Sequence, residues 1–127
     1  MASIPRSLHH WFIIHFVVDL LFAVPLMGVP GAVLEVLGFE SANLVFARLV
    51  GAALIAIGGT SLLMRNKGIE VYVYMLMLKL LWSGSAIVGV GISLAEGAPI
   101  SAAVFLGIFA LFFIIWAYYL QKIKGSY

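Results

Sequence analysis

Two ionisable residues stand in the middle of stretches that hold no other acid or base of their kind: Asp19 within WFIIHFVVDLLFAVPLMGV, residues 11–29, and Lys79 within VYVYMLMLKLLWSGSAIVGVGISLA, residues 71–95. A carboxylate and an amine can take up and release protons, bind ions or hold one another, and in an apolar medium each is costly without a partner. His15 lies four residues before Asp19, on the same face of a helix. An imidazole titrates near neutrality, so a His–Asp pair in a membrane interior could relay a proton. The plainer reading is a core histidine whose ring closes a hydrogen-bond network. Arg48 is the second cation inside an apolar run. Around Lys79, Tyr72 and Ser83 share a helical stripe with Trp82 beside it. Either this stripe walls a polar cavity, or Ser83 bonds its own backbone and Tyr72 belongs to an interfacial belt. The Trp82 indole N–H lies too deep for the interface and calls for a buried acceptor.

The composition decides what kind of element positions these groups. Of 127 residues, 65% are hydrophobic and 9% charged, whereas a soluble domain carries about a quarter charged residues. The chain therefore reads as an integral membrane protein with the lipid bilayer as its solvent. Its net charge of +2 comes from seven scattered basic residues, which form no patch for nucleic acid. There is no cysteine, so disulfides, thiol redox chemistry and cysteine-ligated clusters are excluded. P-loop, dinucleotide-binding and HExxH signatures are missing. All three histidines fall in one segment, and His9 and His10 do not share a face with His15. The sequence thus offers no catalytic constellation and implies no metal or other cofactor.

A bilayer core takes about 20 apolar residues of helix. Four segments meet this length: Trp11–Val29, Leu44–Met64, Val71–Ala95 and Ile100–Leu120. The first is too long for a signal-peptide core and lacks a clear small-x-small cleavage site after it. Helices satisfy their own backbone in hydrocarbon, so the expected fold is an all-α, four-helix transmembrane bundle forming one domain over residues 1–127. Between the first two spans, the apolar repeat at Ala32, Leu34, Val36 and Leu37, bounded by Pro30 and Gly38, predicts a short interfacial helix. The EGAP connection, residues 96–99, predicts a tight turn with its proline opening the next helix. Arg6, Arg65, Lys67, Lys122 and Lys124 flank one set of span ends and the other connections hold no Lys or Arg. Both termini are therefore expected in the cytoplasm. Trp11, Tyr72, Tyr74, Trp116, Tyr118 and Tyr119 fall near the same ends and read as an aromatic belt.

Each half of the chain is a pair of spans whose first member carries the mid-run charge, although no residue-level repeat accompanies this symmetry. At 1.5 Å per residue, Asp19 and Lys79 stand roughly 12–14 Å from the cytoplasmic ends of their spans. Lys79 is accordingly the first candidate partner for Asp19. Arg48 ranks second: it stands roughly 24 Å from that side and its side chain tilts outward, toward the headgroups or toward Glu35, Glu40 or Glu96. The small residues of the second span, among them Gly51 and Gly58, and those of the third, Gly84 and Gly89 among them, predict that these two spans pack closely on each other. The fourth span is uncharged and is expected to face lipid or another subunit.

The run ARLVGAALIAIGGTSLL, residues 47–63, with DLLFAVPLMGVP in the first span and the spacing of four spans, resembles the DoxX-like small four-helix prokaryotic membrane proteins. That resemblance implies a four-helix bundle and, in some members, association with membrane-linked redox or quinone enzymes; Arg48 is the position it carries over. Three functions follow as expectations. The first is a noncatalytic accessory or self-assembling subunit of the cell membrane, partnered by a second copy or a membrane enzyme. The second is a small transporter or proton or ion conductor using His15, Asp19, Arg48 and Lys79. The third is a binder of a quinone or other apolar ligand lined by Trp82, Tyr72 and His15.

Overall fold

The structure is a computed structural model that describes residues 3–40 and 43–125. Helices α1 (Arg6–Gly28), α2 (Pro30–Leu37), α3 (Leu44–Met64), α4 (Ile69–Ala95) and α5 (Ser101–Lys124) follow in chain order. No strand occurs among the described residues. Four of the five, all but α2, are long and apolar enough to cross a membrane, with mean hydropathy from 1.7 to 2.3 over their most apolar stretches. Even the shortest of these, the 21 residues of α3, is about 31 Å long, which matches a hydrocarbon core of about 30 Å.

Helix α3 has the bounds expected from hydropathy, whereas α1 and α4 begin earlier than expected and α5 ends later. The N-terminus of α1 reaches back to Arg6, behind Pro5, whose carbonyl accepts the Leu8 N–H at 3.0 Å. Helix α4 begins at Ile69 with Glu70 in its first turn, and α5 ends with Lys122 and Lys124 in its last. Both placements suit the helix dipole. Polar residues end an apolar run without ending a helix, because the backbone bonds continue into the interface.

The expected short helix is present as α2. Pro30 opens it, where a missing N–H costs nothing, and Gly38 closes it at φ 82°. There the Phe39 N–H bonds the Leu34 carbonyl at 2.8 Å and the Gly38 N–H bonds that of Glu35 at 3.0 Å. This double closure serves carbonyls that the helix itself leaves over. Gly97, at φ 94°, ends α4 in the same way: Ala98 donates to Ser93 at 2.9 Å and Gly97 to Leu94 at 3.1 Å. Pro99 stands just before α5, not in its first turn, and its carbonyl accepts from Ala102. Asn43 caps α3, its side chain accepting the Val45 N–H at 3.2 Å. The neighbouring Ser41 and Ala42 of the same connection lie outside the described residues.

The helices form two compact units, α1 with α2 and α3, and α4 with α5. These coincide with the halves that the mid-run charges mark in the sequence. In the first unit α1 packs along α3 with α2 at their shared end; in the second α4 packs along α5. The buried positions of α1, Leu8, Phe12, His15, Asp19 and Ala23, recur every three or four residues and form one stripe. Ala47, Gly51, Leu54, Gly58 and Ser61 do the same on α3. Gly51 faces Leu26 and Met27 of α1, and Gly84 of α4 faces the Phe113 ring of α5. The close approach that these glycines allow is thus made within each unit.

Gly97→Ala is expected to lower stability by about 1 kcal/mol, since a β-carbon is disfavoured at left-handed φ. Gly91→Ala, inside α4 with open space around it, should be neutral or stabilising by up to about 1 kcal/mol. Thermal unfolding of the two variants in detergent checks this difference in sign.

Candidate functional site

In α1 the four-residue spacing does what a helix requires of it. His15 Nε2 stands 3.4 Å from Asp19 Oδ1, and the two residues are 3% and 5% exposed. At that separation the contact is at the long edge of hydrogen bonding. A protonated imidazole would make it an ion pair. Directly across, Gly58 of α3 gives the carboxylate room: a β-carbon built there would meet the Asp19 Cβ at 2.9 Å and Oδ2 at 3.0 Å. Glycine at 58 is therefore what lets α3 lie against the acid.

Lys79 is fully buried and its Nζ lies over the ring of Trp116, 4.8 Å from the centroid. A cation on an indole face gains about 2 kcal/mol or more when desolvated. Phe112, one turn before Trp116, stacks with it at 5.5 Å and an interplanar angle of 15°. Phe112, Trp116, Tyr119 and Ile123 are buried on α5 with helical spacing. The fourth span therefore does more than face lipid or another subunit, since one of its faces packs on α4 and supplies the π-system for Lys79. Of the aromatic residues expected near this level, Trp116, Tyr72 and Tyr119 turn to the buried side, whereas Tyr74 and Tyr118 are exposed. The physical reason is azimuth: a ring near a span end can turn to either side, and hydropathy does not distinguish them.

Tyr72, Lys79 and Ser83 share the buried stripe of α4, as expected. The Ser83 hydroxyl donates to the Lys79 carbonyl at 2.7 Å, with a longer contact to that of Leu80 at 3.4 Å. It bonds its own backbone, the plainer of the two expectations. Ser61 and Thr60 of α3 likewise bond Ile57 and Ala56 carbonyls, the usual way a hydroxyl is satisfied inside a helix. Trp82 is half-buried beside the stripe, edge-on to Phe109 at 5.9 Å. Its buried Nε1 finds no acceptor among the described residues, contrary to the expectation of one. The nearest hydroxyl in sequence, that of Ser83, is turned back to its own helix.

Arg48 departs most from its expected place in the buried cluster. It is exposed, and its Nε donates to the Met27 carbonyl at 3.2 Å. Met27 is next to last in α1, so its carbonyl lacks a helical donor. Eight residues of helix, about 12 Å, separate Met27 from Asp19. Arg48 therefore caps the C-terminus of α1 and stands away from the His15–Asp19 pair. The sequence marks Gly58 only as one of several small packing residues and Trp116 only as an aromatic near a span end, not as neighbours of Asp19 and Lys79. The i, i+4, i+7, i+11 pattern of Phe112, Trp116, Tyr119 and Ile123 is a signal that could have revealed Trp116; nothing in the sequence distinguishes Gly58 from Gly59.

The chain matches no protein-family model, and no curated protein or solved structure shows significant similarity to it. Its chemistry must be argued from the residues themselves. Among the described residues no three His, Cys, Asp or Glu side chains are grouped so as to hold a metal ion.

Gly58→Ala is expected to destabilise the protein by about 1–3 kcal/mol, the usual cost of overpacking, because the Asp19 Cβ cannot swing away. Gly59→Ala meets open space and should change stability by less than about 1 kcal/mol. Paired unfolding curves in detergent decide between this outcome and a site that yields freely.

Proposed function

We propose that this chain is a noncatalytic multi-pass protein of the cell membrane, a four-helix bundle that serves as an accessory or self-assembling subunit with both termini cytoplasmic. The partners it fits are lipid, a second copy of itself, or a membrane enzyme. The observation that carries this reading is the set of four helices of membrane-spanning length, whose buried stripes are made mostly of apolar and small residues. On α1 the His15–Asp19 pair is bounded along the buried stripe by Phe12 on one side and Ala23 on the other. On α3 the facing stripe offers Ala47, Gly51, Leu54 and Gly58, and then Ser61, whose hydroxyl is engaged by its own helix. Lys79 rests on an aromatic face with Met75 and Leu76 beside it in the stripe. Such a lysine is suited to holding helices in place. The DoxX-like resemblance belongs to the same proposal and adds the bundle arrangement and a membrane-enzyme partner.

A second reading, a proton or ion conductor, is favoured by one contact, the 3.4 Å approach of His15 to Asp19. Reconstitution separates the two. Proteoliposomes with the native chain and with Asp19→Asn should show equal, background proton and ion flux if the charges are structural. Flux in the native protein that disappears in a folded Asp19→Asn variant would establish the conductor and overturn the accessory reading.

The expected balance of Asp19 against Lys79 has its own measurement. Asp19→Asn and Lys79→Met should each reduce the yield of folded protein, with a stability loss of about 3–5 kcal/mol typical of leaving one buried charge behind. The double variant should recover much of that loss. A double variant no better than the worse single would remove the balance from the proposal.

A further inference from the structure

Arg48 is a charged side chain at a depth where the helix around it is apolar, and within the described residues it has no ionic partner. It lies four residues after Leu44, the first residue of α3, about 6 Å along the axis from that end. Its side chain leans toward the same end, where α2 also lies, so the guanidinium reaches the level of the lipid headgroups by snorkelling. Glu35 and Glu40, the acids of the connection at that end, make no ion pair with it; its hydrogen bond is the one from Nε to Met27 O.

That bond fixes the orientation of the group. With Nε engaged by a leftover carbonyl of α1, the guanidinium plane is held while the N–H donors on Nη1 and Nη2 remain available. Arg48 is exposed, as are Val24, three residues before Met27 on α1, and Val45 and Leu49, three residues before and one after Arg48 on α3. The surroundings are thus a planar, fixed, doubly donating cation above an apolar surface. A phosphate accepts two parallel N–H bonds from such a fork, and acyl chains cover apolar side chains below it. The N-terminus of α3 adds a partial positive charge on the same side.

From this we infer that Arg48 binds the phosphate of a phospholipid in the leaflet on the α2 side, with the lipid tails lying along the exposed apolar side chains of α1 and α3. The inference rests on the membrane reading above, and cell fractionation tests that reading alone. A chain recovered in the soluble fraction would remove it, whereas the outcomes below bear on the phosphate site.

The test uses full-length protein extracted in detergent, depleted of lipid and titrated with phosphatidylglycerol, phosphatidylcholine or dioleoylglycerol. Binding is read by native mass spectrometry and by the shift in melting temperature. The native chain should retain both phospholipids about tenfold more strongly than dioleoylglycerol, as charge-assisted hydrogen bonds to one phosphate would give. Arg48→Gln should reduce phospholipid retention to the dioleoylglycerol level, and Arg48→Lys should keep part of it as a point charge. Equal retention of phospholipid and dioleoylglycerol by the native chain overturns the inference, and that comparison needs no variant to fold. Unchanged phospholipid retention in Arg48→Gln also overturns it. So does stabilisation by inorganic phosphate equal to that by phospholipid, which would assign the site to a free anion. Lipid indifference together with a loss of oligomer mass in Arg48→Gln would assign the residue to a contact between copies and overturn it as well.

Discussion

Water is absent from the hydrocarbon core, and every polar group that enters it must find its partner inside the protein. That constraint accounts for nearly all of the side-chain arrangement described above. Asp19 is met one turn earlier on its own helix by His15, and across the contact by a glycine that leaves it space. Lys79 is met by the face of Trp116. The hydroxyls of Thr60, Ser61 and Ser83 turn back to carbonyls of their own helices. Arg48 is exposed, sits near the end of α3 and serves a terminal carbonyl of α1. Position along the helix decides which of these solutions a residue takes.

The same constraint explains why so much of the fold was legible in the sequence. A helix is the only local structure that satisfies its backbone alone, so long apolar runs announce helices, and α3 has the bounds that hydropathy marks. Helix α2 was legible for another reason: Pro30 and Gly38 are conformational signals that act regardless of solvent. The ends of α1, α4 and α5 were misplaced by a few residues because polar side chains were read as ends, whereas the backbone bonds pass through them into the interface. The burial of His15, Asp19, Lys79 and Ser83 was legible because an ionisable or hydroxyl group in such a run has a strong preference for protein over lipid.

The azimuth of apolar and amphipathic residues was less legible. In a helix whose faces are all apolar, lipid and protein are nearly equivalent surroundings for Leu, Ile or Phe, so the pattern carries little contrast between faces. Position in sequence places Trp116 and Tyr119 near a span end but does not tell that both rings turn inward and are buried. Arg48 shows the converse: a charge within an apolar run is expected in a buried cluster, yet Arg48 is exposed. Its partner is a backbone carbonyl, and sequence patterns do not report carbonyls left over at the end of another helix.

The two units meet one problem with opposite chemistry, and the difference follows from the charges themselves. A carboxylate presents lone pairs and requires N–H or O–H donors, which are scarce in an apolar helix pair; His15 is placed by the i, i+4 geometry to supply one from the same helix. Such a partner cannot drift, because the backbone fixes its distance, but it demands a close and small neighbour opposite, and Gly58 is that neighbour. An ammonium can instead rest on electron density, and aromatic rings are compatible with hydrocarbon in a way that donors are not. Trp116 can therefore come from the second helix of the unit, with Phe112 stacked against it, and contribute apolar packing and charge stabilisation together. The acid thus meets His15 along its own helix and is given space by Gly58 of the other, whereas the cation meets its ring across the pair. Loss of the Trp116 ring would weaken the packing of α4 on α5 directly, while loss of His15 would act first on the state of the carboxylate and only through it on the fold.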